Sequence, residues 1–241
     1  MVEAWREPRT IDAAGIDLER HARESSNFRK HTSANPLQRT LIDRFHRSIV
    51  ERVAAMTPER VLDAGCGEGF VARLLLDRIH GLRLTGCELS DSALRLARTA
   101  NPEATFARGS ITALPFADDS FDVVCCFEVL EHLPGDGPAL ALAEFARVAR
   151  RGVVLSVPHE PIFSLANVAR GKNLNVRPPG SDPDHRQFWS HSAFAGLVAA
   201  HFDEVAVSGS FPWIICAGER PHCSRASGPA PIAAGAGRRE A

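Results

Sequence analysis

The spacing of apolar residues along the chain changes from helical to alternating near residue 58. Before that point, Asn35 and Pro36 predict the start of a helix, because Asn can cap the first turn and Pro suits the first helical position. Apolar residues then follow at helical spacing and predict one buried stripe, which consists of Leu37, Leu41, Phe45, Ile49, Val53 and Met56. We therefore expect residues 1–57 to form an N-terminal helical cap.

After residue 58, short apolar runs alternate with segments of helical periodicity. The runs predict strands at residues 61–65, 82–89, 104–108, 122–127, 153–157, 204–209 and 213–219. Helices are predicted between them, at residues 70–79, 91–100, 139–150 and 190–202. Strands that alternate with helices in this way pair in parallel and bury both faces of a sheet. The predicted fold class is therefore α/β, with a mostly parallel sheet and helices on both faces.

Two segments depart from this alternation. Residues 161–189 contain two glycines and four prolines, and a connection of this length usually belongs to function or disorder. We expect this segment to form an insertion beside the binding site, followed by the last helix and strands over residues 190–223. The tail over residues 224–241 is of low complexity, and we predict that it is disordered.

Composition and charge argue against several classes of protein. The 241 residues include 28 Lys and Arg against 29 Asp and Glu. The net charge of −1 therefore gives no excess of positive charge that would indicate nucleic-acid binding. No apolar run approaches the roughly 18 residues of a membrane span, and the first residues lack the apolar core of a secretory signal. The six cysteines have no CxxC spacing, so we expect a reduced, cytoplasmic compartment. The oligomeric state stays open.

A glycine-rich turn is predicted between the first strand of the sheet and the helix that follows it. The segment DAGCGEG (63–69) places glycines where the backbone can approach a ligand with no side chain between. In an open parallel sheet, ligands bind beyond the carboxyl ends of the strands. Glu88 ends the second strand, where its carboxylate can accept hydrogen bonds from both hydroxyls of a ribose.

The spacing and charge of this turn distinguish between two kinds of nucleotide-like cofactor. Dinucleotide-binding turns have the spacing GxGxxG and hold a pyrophosphate at the start of the helix. This chain has GxGxG, with Asp63 before the turn and Glu68 within it, and such negative charge favours a cation such as S-adenosylmethionine. Short-chain nicotinamide oxidoreductases also need a catalytic tyrosine, and the chain contains no tyrosine.

Four motifs, in order, resemble those of class I S-adenosylmethionine-dependent methyltransferases of the bacterial small-molecule type. They are VLDAGCGEGF, GCELS, and the third and fourth elements in GSITALPFADDSFDVVCCFEVLEHL, all between residues 60 and 158. The resemblance implies a Rossmann-like sheet of seven strands with a reversed last strand. It assigns residues 58–160 to the cofactor-binding half of the domain.

The resemblance also implies which residues bind the cofactor. Asp63 and the three glycines of the turn hold its methionine part, Glu88 holds the ribose, and Leu89 packs on the adenine. Ser110 stands where an acid is common in the family, in the loop that meets the amino group of the adenine. The implied cofactor-binding set is Asp63, Gly65, Gly67, Gly69, Glu88, Leu89, Ser110, Ile111 and Phe127.

Acidic residues and a histidine follow the fourth strand in the pattern ExxEH. With a later histidine, the pattern resembles the divalent-metal site of terminal ribose methyltransferases of small RNAs and of similar ubiquinone-pathway enzymes. That reading would assign a metal to Glu128, Glu131, His132 and His185. An EH pair at this point also occurs in family members that need no metal, so the metal ligands stay unknown.

Three histidines are candidate catalytic residues: His132, His159 and His185. Histidine is suited to taking a proton from an acceptor hydroxyl at neutral pH, although transfer can also rely on positioning alone. We expect methyl transfer from S-adenosylmethionine to a small-molecule acceptor, with a hydroxyl oxygen as the leading acceptor atom. Two alternatives stay open, namely a metal-dependent RNA ribose methyltransferase and a non-catalytic S-adenosylmethionine-binding protein.

Overall fold

The computed structural model describes residues 25, 27, 31–32, 34–159, 162–169, 171, 173–176 and 179–220. Most of the predicted cap before residue 34 and the whole tail predicted over residues 224–241 lie outside the described residues. Within the described ranges, no helix is both long enough and apolar enough to cross a membrane.

The described chain alternates between strands and helices after one long helix. The helices are α1 (Pro36–Ala55), α2 (Phe70–Arg78), α3 (Asp91–Ala100), α4 (Gly137–Val148), α5 (Ile162–Ala169) and α6 (His191–Ala199). The strands are β1 (Arg60–Ala64), β2 (Arg83–Glu88), β3 (Thr105–Arg108), β4 (Phe121–Phe127), β5 (Ala149–Pro158), β6 (Asp203–Ser210) and β7 (Trp213–Glu219). A short 3₁₀ helix, Leu130–His132, follows β4.

The strands form one sheet in the order β3-β2-β1-β4-β5-β7-β6. β1 pairs in parallel with β2 on one side and with β4 on the other, and β4 pairs in parallel with β5. β7 is antiparallel to both of its neighbours, β5 and β6. The predicted Rossmann-like, mostly parallel seven-stranded sheet with a reversed last strand is therefore confirmed. The strand order reverses between β1 and β4, which opens a crevice beyond their carboxyl ends.

Apolar side chains cover both faces of the sheet, because consecutive residues of a strand point to opposite faces. Val124 and Cys126 of β4 lie in one core with residues of α4 and α6. Val123 and Cys125 lie in a second core with residues of α1 and α2. Every residue of β4 is buried, and after Asp122 the strand is a continuous apolar run in the sequence.

The start of β5 differs from the sequence prediction. β5 begins at Ala149, and Gly152 pairs within the strand instead of leading into it. A Cβ at Gly152 would lie 2.2 Å from the carbonyl oxygen of Gly218. Glycine is therefore required there because β7 approaches closely, and its role is not to form a turn. The helix predicted over residues 139–150 correspondingly ends at Val148.

Two further expectations are corrected in the cap and in the connection after β5. Leu37 is 59% exposed, whereas the helical period brings Ile42 onto the buried face of α1. The connection contains helix α5, which its glycines and prolines did not indicate. Gly171 and Gly180 lie after α5 in the chain, so they do not interrupt it.

Candidate functional site

The turn between β1 and α2 approaches the crevice with its backbone. Gly65, Gly67 and Gly69 have φ values of 80°, 52° and 82°, in the left-handed region that favours glycine. A Cβ at Gly65 would lie 2.6 Å from the Val129 side chain, and one at Gly69 would lie 2.5 Å from the Asn101 amide nitrogen. Neither position can hold another residue without displacing its neighbours, so the conformation and packing of the turn require glycine at both.

Asp63 is a buried acid at the carboxyl end of β1. Its side chain is 2% exposed, and its Oδ2 has no hydrogen-bond partner among the residues that the structure describes. Burial, together with repulsion from the nearby Glu88 carboxylate, raises the pKa of Asp63 to about 7. A buried carboxyl that lacks partners destabilises a fold, and such groups cluster at functional sites; the binding role of Asp63 stays a prediction.

Glu88 lies at the end of β2, beside the glycine turn. Its Oε2 accepts a hydrogen bond from the Gly67 N–H at 3.1 Å, and its Oε1 accepts from the N–H groups of Leu89 and Ser90 at 2.7 and 2.9 Å. These bonds fix the carboxylate next to the turn. The Glu88 carboxylate makes this part of the crevice negative, and a cation would stabilise the ionised form of the neighbouring Asp63. Both effects favour a cationic ligand over a pyrophosphate.

Glu68, the acid within the turn, is bound by residues of the N-terminal segment. Its side chain is 3% exposed, and its two carboxylate oxygens accept hydrogen bonds from Ser25 Oγ and Asn27 Nδ2, both at 2.6 Å. His31 stacks on Phe70, the first residue of α2, with ring centroids 4.5 Å apart. From the sequence, the Glu68 carboxylate is expected to oppose a pyrophosphate. In the structure, it instead accepts the hydrogen bonds that connect Ser25 and Asn27 to the turn.

The four remaining residues of the predicted cofactor-binding set differ in exposure. Leu89 is 58% exposed, and Ser110 is half-buried with its hydroxyl oxygen 2.8 Å from that of Thr112. The side chains of Ile111 and Phe127 are buried in the two cores, one on each face of the sheet. Leu89 and Ser110 therefore have side chains that a cofactor can contact, and the binding role of all four stays a prediction.

Histidines and an acid meet beyond β4, at the 3₁₀ helix. The rings of His132 and His185 are edge-to-face, with centroids 5.2 Å apart. The buried Glu131 has a carboxylate oxygen 3.9 Å from His132 Nε2. Glu131, His132 and His185 each offer a ligand atom within 4.8 Å of the others, an arrangement that can accept a proton or hold a metal ion.

Hydrogen bonds attach the connection after β5 to this cluster. The Glu131 carbonyl oxygen accepts from the N–H groups of Arg186 and Gln187, at 2.7 and 3.1 Å. His132 Nδ1 lies 3.2 Å from the Asp184 carbonyl oxygen. The segment predicted to form an acceptor-side insertion therefore contacts His132 and its neighbour Glu131, and it contains His185.

Glu128 and His159 have other partners. Glu128 has a φ of 60°, and its Oε1 accepts a hydrogen bond from the hydroxyl of the buried Ser156 at 3.0 Å. The ring of His159 packs edge-on against His191, with centroids 4.2 Å apart. The structure thus brings together three of the four predicted metal ligands and two of the three predicted catalytic histidines.

Some residues around the site carry no local signal in the sequence. Asn101 precedes a proline and indicates only the end of a helix, yet its amide contacts the glycine turn. Ser25 and Asn27 lie in a polar stretch with no clear periodicity, and Ser156 lies inside a strand. Their partners are at least 28 residues away along the chain, so only the folded structure identifies them.

Comparison with known proteins agrees with this geometry. Residues 62–157 match the family model described as a methyltransferase domain. The chain is 37% identical over 135 residues to a ubiquinone biosynthesis O-methyltransferase of Hahella chejuensis, covering 54% of this chain and 52% of the relative. It is 36% identical over 114 residues to a demethylmenaquinone methyltransferase of Renibacterium salmoninarum, covering 47% and 46%. The chain thus spans about half the length of these curated relatives.

Among solved structures, the fold resembles that of magnesium protoporphyrin IX methyltransferase from Synechocystis, determined with bound SAH. The TM-score is 0.61, and the match covers 84% of this chain and 98% of the other at 17% identity. At this level of identity, the similarity is one of fold.

The raised pKa of Asp63 predicts how stability depends on pH. The folded protein retains this proton up to about pH 7, whereas the unfolded chain releases it near the ordinary aspartate pKa of 3.8. Stability therefore falls as pH rises through this window, and the loss is complete above it. At about 1.4 kcal/mol per pKa unit, we expect the wild type to lose about 2 kcal/mol more than Asp63→Asn between roughly pH 5.5 and pH 8.

Urea unfolding at both pH values measures this difference. The control is Asp136→Asn, which replaces an exposed carboxylate outside the crevice and should follow the wild type. Equal pH dependence in the wild type and in Asp63→Asn would mean that Asp63 is ionised in the fold at little penalty, contrary to the expectation.

Proposed function

We propose that this chain, whose residues 62–157 form a class I S-adenosylmethionine-dependent methyltransferase domain, transfers a methyl group from S-adenosylmethionine to a small-molecule acceptor. The observation that carries the proposal is the pair of acids, Asp63 and Glu88, beside a turn whose three glycines have left-handed φ values. S-adenosylmethionine supplies a methyl group on a positively charged sulfur and contains no phosphate. The two acidic side chains of the crevice are suited to binding that positive charge.

The proposed roles of the cofactor-binding residues follow from their positions. Asp63 would bind the cationic methionine end, and a positive charge there would lower its raised pKa. Glu88 would accept a hydrogen bond from a ribose hydroxyl, because a carboxylate has about four acceptor sites and backbone N–H groups use three, which leaves one free. The exposed Leu89 side chain would cover one face of the adenine.

The acceptor atom that we propose is a hydroxyl oxygen. The relative from Hahella chejuensis is named as an O-methyltransferase, and both relatives described above carry the names of small-molecule pathways or substrates. The net charge of −1 gives no general attraction for RNA. These observations favour a small molecule over the RNA ribose alternative.

The proposed proton acceptor is His132 or His185. A histidine side chain titrates near pH 6.5, so it can take a hydroxyl proton at about neutral pH. The buried Glu131 carboxylate, 3.9 Å from His132 Nε2, would stabilise the protonated ring. His159, which packs against His191, is the less favoured candidate because it has a different set of neighbours.

A second candidate mechanism uses a divalent metal ion at Glu131, His132 and His185. The convergence of their ligand atoms within 4.8 Å supports it. A carboxylate and two imidazoles are ligands that several divalent ions accept. Under this alternative, the two histidines would orient the acceptor hydroxyl and would not accept its proton.

The first prediction from the proposal concerns cofactor binding. Isothermal titration of the wild type should show binding of S-adenosylmethionine and none of NADH. Glu88→Gln should weaken binding about tenfold or more, because it removes the charge that the ribose hydroxyls meet. Asp136→Asn should bind like the wild type. Binding of NADH, or full affinity in Glu88→Gln, would remove the basis of the proposal.

The second prediction concerns the proton acceptor. Either His132→Gln or His185→Gln should lower kcat by about 100-fold or more and abolish the loss of activity at acidic pH. Affinity for S-adenosylmethionine should be unchanged in both variants. The exposed His80 gives a matched control, since His80→Gln should keep wild-type kcat. If both site variants keep the wild-type pH profile, no histidine of this cluster accepts the proton.

The third prediction separates the two mechanisms. If the histidines act without metal, dialysis against a chelator leaves kcat unchanged, and added Mn²⁺ does not restore activity to any variant. If a metal acts there, chelation abolishes activity, Mn²⁺ restores it, and Glu131→Gln weakens Mn²⁺ binding measured by calorimetry. Unchanged activity after chelation, with no Mn²⁺ binding, excludes the metal mechanism.

A further inference from the structure

Asn101, the residue that ends α3, joins two parts of the chain that are far apart in sequence. Its side chain is fully buried, and its amide nitrogen donates hydrogen bonds to the carbonyl oxygens of Gly69 at 3.1 Å and Ala97 at 3.0 Å. The first bond crosses 32 residues and ends on the last glycine of the turn. The second only closes the end of its own helix.

The bond to Gly69 acts where the turn becomes a helix. The Gly69 N–H donates to the Cys66 carbonyl oxygen at 2.9 Å, which closes the turn, and the Gly69 carbonyl oxygen accepts from the Arg73 N–H at 3.0 Å, which begins α2. A Cβ at Gly69 would meet the Asn101 amide and Ala97. The turn and the end of α3 are therefore fitted to each other.

The amide of Asn101 is poorly explained by stability alone. Its Oδ1 is buried and has no hydrogen-bond partner among the described residues. A buried acceptor without a partner opposes folding and offsets what the two donated bonds contribute. An apolar side chain of similar shape would avoid that penalty. We therefore infer that the amide contributes to something other than the stability of the fold.

Two polar groups thus hold the glycine turn from outside. Glu88 holds the turn at the Gly67 N–H, and Asn101 holds it at the Gly69 carbonyl oxygen. Glu88 lies just before α3 and Asn101 just after it, so one helix separates the two attachment points. A turn that is fixed before a ligand arrives loses less conformational entropy on binding.

We propose that Asn101 is a positioning residue that holds the glycine turn in the conformation that binds the cofactor. The inference rests on the proposed function for the identity of that cofactor. Asn101 does not touch the reacting atoms; it acts through Gly69. Its effect therefore belongs to cofactor affinity and to the KM for S-adenosylmethionine, with little change in kcat.

The test uses two substitutions of Asn101 and one control on the same helix. Asn101→Leu removes both donated bonds and the unpartnered oxygen. Asn101→Ser is too short to reach Gly69 but can still bond to the Ala97 carbonyl oxygen four residues earlier, so it removes only the long-range bond. Leu96→Ala changes a buried residue of α3 and leaves Asn101 in place.

Calorimetry with S-adenosylhomocysteine should show about tenfold weaker binding for both Asn101 variants, the effect of losing one hydrogen bond that preorganises the turn. Leu96→Ala should bind like the wild type, although it is less stable. Wild-type affinity in Asn101→Ser would overturn the proposal, and if Asn101→Leu does not fold, Asn101→Ser decides the question alone.

Hydrogen exchange in the absence of ligand gives a readout that does not depend on the cofactor. The amides of Gly69 and Arg73 should exchange faster in both Asn101 variants, relative to the amides of β4, and not in Leu96→Ala. If the exchange rates of these two amides relative to β4 are unchanged, Asn101 does not hold the turn through its bond to Gly69. A wild type that binds no S-adenosylhomocysteine but shows this exchange pattern would refute the proposed function and leave the structural role of Asn101 standing.

Discussion

A turn made largely of glycine has to be held in place by other parts of the chain, because glycine leaves the backbone more freedom than any other residue. Here the holding contacts come from three directions. The Cys87 carbonyl oxygen of β2 accepts from the N–H groups of Gly65 and Cys66, at 2.8 and 3.2 Å. The N-terminal segment and the end of α3 supply the others. The position of the crevice thus depends on how strands and helices pack around one short segment.

The same arrangement explains why an unfavourable acid can persist at the centre of the sheet. Asp63 lies on β1, which pairs with β2 and with the entirely buried β4. Two apolar cores, one on each face, stabilise these strands and offset the free energy of a buried carboxyl that lacks partners. Natural proteins tolerate a local penalty of this kind where a ligand later supplies the missing interaction.

Much of the fold was predictable because its signals are local. The strands appear as short apolar runs, Asn35 caps α1 as its position in the sequence predicts, and the order of four motifs indicates the family. The match of residues 62–157 to a methyltransferase domain agrees with that resemblance. The reversal of β7 came from the resemblance, since no periodicity in the chain encodes strand direction.

The remaining features could not be predicted because they depend on contacts between distant residues. Gly152 suggests a turn in the sequence, yet the closeness of the Gly218 carbonyl oxygen is what requires it. Glu68 suggests a charge near the ligand, yet two N-terminal side chains bind it. Asn101 suggests a helix end and nothing more. In each case the residue type suggests a local role, but the role that the structure shows depends on a partner far away in the sequence.

The bonds from Ser25 and Asn27 to Glu68 bear on what counts as a module in this protein. The match to the methyltransferase domain begins at residue 62, yet a carboxylate inside the matched segment accepts hydrogen bonds from side chains that precede it by about forty positions. The matched segment is therefore smaller than the unit that satisfies its own interior polar groups. If residues 62–157 were transferred into another protein, the buried Glu68 carboxylate would lose the hydrogen bonds from Ser25 and Asn27, and the new protein would have to supply other donors.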